Sequence, residues 1–160
     1  MFSISVTVNA GEAKRLFAKI ERRTHDYRPV FLLGRKSLEA ANASNFALGG
    51  LPSGGWAPLS PVTSAWKAEN GFPPNPLIRT GRLMDSLSTL RGSPNEINHH
   101  SATFGTDVKY AKFHQHGTTR MPARQIVFEP VGFTDLMAEA AKRHLLPEAG
   151  AALSTLKAAF

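Results

Sequence analysis

Phe2, Ile4, Val6 and Val8 alternate with Ser3, Ser5 and Thr7. That period belongs to an extended segment with one buried face, so residues 2–8 are predicted to form a strand. The period then changes. Asn9 stands three residues before Glu12, the spacing of a capping box, and Ala13, Leu16, Phe17 and Ile20 recur at helical intervals. A helix over about 10–22 is predicted, basic at its C-terminal end where cations suit the helix dipole. Pro29 can open a second helix, with Phe31, Gly34, Leu38, Ala41 and Asn45 along one stripe that fades by Gly49-Gly50.

Residues 49–76 break both periods. Glycines 49, 50, 54, 55 and 71 and prolines 52, 58, 61, 73, 74 and 76 rule out long helices and central strands here. Trp56, Leu59, Val62 and Trp66 are embedded in this stretch. Two readings follow: a long loop held over the core by its indoles, with a helical turn after Ser60-Pro61, or a segment that orders against another subunit.

Beyond it, Leu83, Asp85, Leu87, Thr89 and Arg91 alternate imperfectly with Met84, Ser86, Ser88 and Leu90. Residues 83–91 are predicted to form a strand, paired through a turn at Gly92-Ser93-Pro94-Asn95 with a second strand over 96–104. Val108 to Gly117 suits one or two helical turns. Residues 124–131 read as a further strand, and Thr134 as the cap of a helix carrying Leu136, Met137, Ala140, Ala141, His144 and Leu145. Pro147 interrupts that helix, leaving residues 147–160 as a C-terminal arm. The element order predicts an α+β fold: one domain over 1–160, a small, mainly antiparallel sheet packed with N-terminal and C-terminal helices, and the long Gly/Pro/Trp loop.

Composition narrows the function. With 160 residues, of which 42% are apolar and 19% charged, the chain can bury a core. No apolar run reaches the roughly 18 residues of a membrane helix, and Met1-Phe2-Ser3-Ile4 lacks a secretory layout, so a soluble, unprocessed protein without a membrane partner is expected. The absence of Cys excludes disulfides, thiolate metal sites and Cys nucleophiles. A net charge of +7 favours anionic partners, yet no basic run exceeds two residues. No zinc-finger, basic-zipper or convincing helix-turn-helix pattern accompanies the charge. A basic nucleic-acid-binding module therefore stands as the alternative function.

Candidate catalytic chemistry is sparse. His114 and His116 flank Gln115, with His99-His100 upstream. A His-x-His pair points one way only in an extended segment, and a zinc site would need further ligands that the few nearby carboxylates are not spaced to supply. His114 is better read as packing on Tyr110 one turn away or donating to backbone, and His116 as ending that turn. There is no Gly-x-Ser-x-Gly elbow, no phosphate loop and no paired acids. No enzyme, cofactor or metal is expected.

Two segments stand out without looking catalytic. In Leu77-Ile78-Arg79-Thr80-Gly81-Arg82-Leu83, Gly81 can take a positive φ and turn the chain, aiming Arg79 and Arg82 outward. These arginines are either solvated or face a subunit or DNA. In Met121-Pro122-Ala123-Arg124, Pro122 stiffens the entry and Arg124 offers a fork for a carboxylate.

Gly55-Trp56-Ala57-Pro58-Leu59-Ser60-Pro61-Val62-Thr63, then Leu77 to Leu83 with Ser86, then Phe104-Gly105-Thr106-Asp107-Val108-Lys109-Tyr110-Ala111 with His114-Gln115 and Gly117, and finally Met121 to Arg124, follow one another in a recognisable order. Together they resemble the phage virion morphogenesis family, the Mu G-like tail completion or head–tail joining proteins. The chain departs from that pattern in having His116 after His-Gln and Gln125-Ile126 after Pro-Ala-Arg. The resemblance implies a non-enzymatic virion component at the head–tail interface, made in the host cytoplasm. It also implies a homo-oligomeric ring, expected to be a hexamer, that meets other phage neck and tail proteins and contacts DNA non-specifically in its lumen. On this view Arg79, Arg82, Tyr110, His114, His116, Arg120 and Arg124 are interface candidates. Trp56, Thr80, Gly81, Gly105, Gly117 and Pro122 are structural corners. Replacing Arg82 and Arg124 together by Ala is then expected to leave the monomer folded.

Overall fold

The computed structural model of the protein describes residues 10–92 and 94–147. The strand expected over 2–8 and nearly all of the expected C-terminal arm lie outside the described residues. The two N-terminal helices are present as α1 (Ala10–Thr24) and α2 (Arg28–Ala47), the latter with Pro29 in its first turn. A single 3-10 turn, Leu51–Ser53, follows. Ser60 then caps α3 (Pro61–Glu69), its Oγ accepting from the Thr63 N–H at 3.2 Å, and Pro61 occupies the position where a missing N–H costs nothing.

Residues 83–91 are not a strand. They form α4 (Arg82–Thr89), entered through Gly81 at φ 81°. The reason lies in the blurred alternation. Leu83, Leu87 and Leu90 are spaced by four and three, and all three are at most 2% exposed. One helical face buries Leu83 and Leu87, and Leu90, the left-handed residue that closes the helix, is buried after them. Each contributes about 1.5–3 kcal/mol, whereas a strand would have put Leu90 opposite the other two. The predicted pairing of 83–91 with 96–104 is lost with that strand. Instead 96–104 folds on itself, β1 (Glu96–Ile97) pairing antiparallel with β2 (Ala102–Thr103), Glu96 opposite Thr103 and Ile97 opposite Ala102. The fold is thus α+β with helix dominant, and among the described residues its sheet is this two-stranded hairpin.

Helix α5 (Ala111–His116) stops at Gly117, and α6 (Phe133–Leu145) ends before Pro147. Thr134 does not cap α6. Gly132, at φ 75°, is the cap residue, and the Thr134 hydroxyl lies inside the first turn and donates to the Glu129 carboxylate. Helix α2 is the spine, with α4 and α6 packed along it. Its Asn42 donates to the Leu87 carbonyl at 2.9 Å, a buried bond that fixes the register of α2 against α4. The core beside this junction gathers Phe46, Trp56, Leu83, Leu87, Val108, Ala111 and Ile126.

Residues 124–131 are extended in part, but they have no strand beside them. Arg124 and Ile126 point inward while Gln125 and Val127 stay exposed, the alternation of a strand. Side chains take the place of the ladder. Gln115 Oε1 accepts from the N–H groups of Ile126 and Val127, both at 2.9 Å, and its Nε2 donates to the Val127 carbonyl at 3.0 Å. Buried backbone groups must find partners, and one glutamine on α5 does here what a neighbouring strand would otherwise do.

Candidate functional site

Trp56 is the first fixed point. Its ring meets Phe46 edge-to-face at 5.2 Å, and its Nε1–H donates to the Gln125 carbonyl at 2.8 Å. Ser53 Oγ lies 2.9 Å from the same oxygen and Asn45 Nδ2 3.3 Å from it. An indole that is both packed and hydrogen-bonded contributes on each account, so the 50–58 segment is held on the core by its single tryptophan. Trp66 differs. It stays 43% exposed and stacks on Phe72 at 5.3 Å.

Arg124 is the second fixed point. It is 7% exposed, and its fork does not meet a carboxylate. Nε donates to the Ala57 carbonyl and Nη2 to the Pro58 carbonyl, both at 2.9 Å, while its backbone N–H donates to the His114 carbonyl at 2.7 Å. Three separated segments are tied at one residue. Burial lowers the pKa of the guanidinium below its ordinary value.

Between these ties opens a cleft of about 810 Å³. Its walls are the 57–60 loop, one side of α3, the 77–81 corner with the start of α4, Tyr110 and His114, and the 120–124 loop. All four sequence blocks behind the family resemblance contribute to it. Arg79, Thr80, Gly81, Arg82, Tyr110, His114, Arg120, Pro122 and Arg124 line it together. His116 does not; it borders a shallower hollow beside Phe113 and Val127. Trp56 lies beneath, in the core.

The corners behave differently from one another. Gly81 has the expected positive φ, but the chain turns there into α4 instead of a strand. Gly117, at φ 72°, brings its backbone so near the Ala123 N that a Cβ would lie 2.7 Å from it, which closes the loop bridged at Thr118 and Met121. Gly105 makes no such turn; its N–H donates to Asn95 Oδ1 at 2.8 Å and its carbonyl accepts from Asn95 Nδ2 at 3.2 Å, closing the neck of the hairpin.

Charge distinguishes the cleft from the rest of the surface. Lys67, Arg79, Arg82, Arg120 and Arg124 line it, and among the described residues no Asp or Glu does. Lys67 is 5% exposed, its Nζ donating to the carbonyls of Asn75 and Ile78 at 2.7 Å each, and burial lowers its pKa. Arg79 lies over the Phe72 ring at 5.9 Å. His114 meets Tyr110 edge-on at 5.9 Å; its buried Nδ1 has no partner, and burial followed by the charge of Arg124 lowers its pKa.

Lys67 and Gln115 are the residues that sequence reasoning passed over. Gln115 appeared only as part of a motif, and nothing in the local pattern marks a solitary Lys in a nine-residue helix as buried. No group of three or more His, Asp or Glu comes together among the described residues, and no described helix is long and apolar enough to cross a membrane. Chemically the cleft can bind and position anionic groups.

Residues 8–148 match the phage virion morphogenesis family. The chain is also 29% identical over 109 residues to the Mu-like prophage FluMu G protein 2 of Haemophilus influenzae, a stretch covering 68% of this chain. It spans 66% of the length of that curated relative, just under two thirds. No solved structure matches.

Proposed function

Because the chain belongs to the phage virion morphogenesis family, we propose that it is a non-enzymatic structural protein that completes the tail at the head–tail junction, assembling there as a ring of six copies. The observation that carries this is the extent of the match: residues 8–148 include every helix and strand described, so the likeness belongs to the whole fold and not to one motif. A ring repeats one heterologous contact until it closes, which requires two unlike patches on each subunit. The molecule has unlike faces to offer. Leu16 and Phe17 on α1 are 45% and 69% exposed, and Leu32 and Leu33 on α2 are also open. Apolar groups left in water at this density favour burial against a neighbour. The cleft, by contrast, is cationic.

Removal of this gene from its phage, followed by electron microscopy, tests the role. Filled heads and separate tails that fail to join, with joining restored by supplying the full chain, are expected. Normal particles without the chain would overturn it. Native mass spectrometry of the purified chain tests the stoichiometry, with six subunits expected; a stable monomer on particles, or another closed number, would overturn the hexamer.

A further inference from the structure

We propose that the cleft between α3, the start of α4 and the 120–124 loop seats a short acidic segment of a different virion protein, carboxylates alternating with apolar side chains. This rests on the virion role above and names the chemistry of one contact within it.

Charge complementarity is the first argument. Elsewhere three arginines of this chain meet carboxylates at close range: Arg28 bonds Asp26 at 2.6 Å, Arg35 bonds Glu39 at 2.9 Å and Arg143 bonds Glu139 at 3.2 Å. In the cleft the cations meet carbonyl oxygens, the Phe72 ring or solvent, and among the described residues none meets a carboxylate. Carbonyls satisfy the hydrogen bonds of Lys67 and Arg124 but leave their full charges uncompensated in a desolvated wall. Lys67 also has a third donor beyond the two it uses. An incoming carboxylate supplies what the chain itself omits.

The remaining lining sets the rest of the ligand. Leu59, Trp66, Leu77, Ile78, Tyr110 and Met121 line the cleft along with the cations, so a strip of carboxylates alone would leave apolar lining uncovered. A volume of about 810 Å³ is of the size that holds a compact ligand or a few residues of a peptide.

Two other occupants fit less well. Single-stranded nucleic acid held without sequence preference uses free aromatic faces along a groove, whereas Trp66 is already stacked on Phe72 and Tyr110 already meets His114. The exposed apolar helix α1 of a second copy is a poor match, because Lys14, Arg15, Arg22 and Arg23 flank Leu16 and Phe17 there. Like charges would face each other across the contact.

The test uses the full chain, complementing a phage that lacks the gene, with a photoreactive benzoylphenylalanine at Thr63 in one preparation and at Arg120, on another wall, in a second. After irradiation of the particles, the cross-linked peptides are sequenced by mass spectrometry. Both positions are expected to mark one stretch of one other virion protein, with Asp or Glu within a few residues of the cross-link. Cross-links only to a second copy, only to DNA, only to a stretch without acids, or none from either position would overturn the proposal. In the same assay Arg79→Glu with Arg82→Glu should lower the cross-link yield per molecule by about tenfold or more, and Arg79→Lys with Arg82→Lys should retain it; an unchanged yield in the Glu variant would also overturn it. Joined particles that lack the chain would sink the virion role itself, whereas chain-bearing particles with an unmarked cleft would sink the cleft proposal alone.

Discussion

Arg124 and Arg79 border the same cleft but belong to different kinds of structure. Behind Arg124 the contacts run inward: its fork holds Ala57 and Pro58, its N–H holds His114, and the next carbonyl collects the donors of Trp56 and Ser53. Arg79 lies exposed over a phenylalanine, and Arg82 beside it is exposed as well. A buried hydrogen-bond network defines one arrangement of the chain, because breaking a bond in it strands a buried partner. Exposed cations without a carboxylate partner define little internally. The contrast separates residues that build the cleft from residues left over for whatever fills it.

The inner network should break most severely at Trp56. Trp56→Ala removes the ring packed on Phe46 and the donor to Gln125, and a loss of about 3–5 kcal/mol is expected in equilibrium urea unfolding. Arg124→Met keeps the volume but strands the Ala57 and Pro58 carbonyls; about 3 kcal/mol should be lost. The expectation that replacing Arg82 and Arg124 together spares the fold is therefore revised for Arg124, which acts inward, and kept for Arg82.

Acid should act on the same network, more gently. His114 holds its proton less tightly in the folded chain than its ordinary value of 6.5, first because it is buried and then because Arg124 is near. The unfolded chain therefore takes up that proton at a higher pH. Stability from this group is complete above about 6.5, falls as pH drops through the window below it, and levels once the folded imidazole also protonates. Urea midpoints measured across this window should fall for the wild type and fall less for His114→Gln; parallel curves would remove His114 from the account.

At the outer rim the smallest effect on folding is expected. Arg79→Ala with Arg82→Ala should change the unfolding free energy by no more than about 1 kcal/mol, the most that the exposed stack of Arg79 on Phe72 supplies. A larger loss would erase the distinction between the two regions.

The four motif blocks were legible in the sequence, and they meet at the cleft. So were α1, α2 and the helix that stops at Gly117. The two misplaced strands failed for different physical reasons. Residues 83–91 carry a helical stripe, Leu83, Leu87 and Leu90, that imperfect alternation concealed. Residues 124–127 do alternate as a strand does, but their hydrogen bonds go to Gln115 and to backbone and side chains that no local pattern connects. Period reports which side is buried; it does not report what supplies the partner. Lys67 was missed for the same reason, its burial being decided by carbonyls eight and eleven residues further along the chain.

The central claim is that the exposed cleft cations serve assembly and contribute nothing the fold requires. Its most direct test is the number of copies of the Arg79→Glu, Arg82→Glu chain in purified particles, counted beside its urea midpoint in solution. The account predicts a midpoint matching the wild type and far fewer copies of the chain in the particles than the wild type gives. Full incorporation of that variant would contradict it.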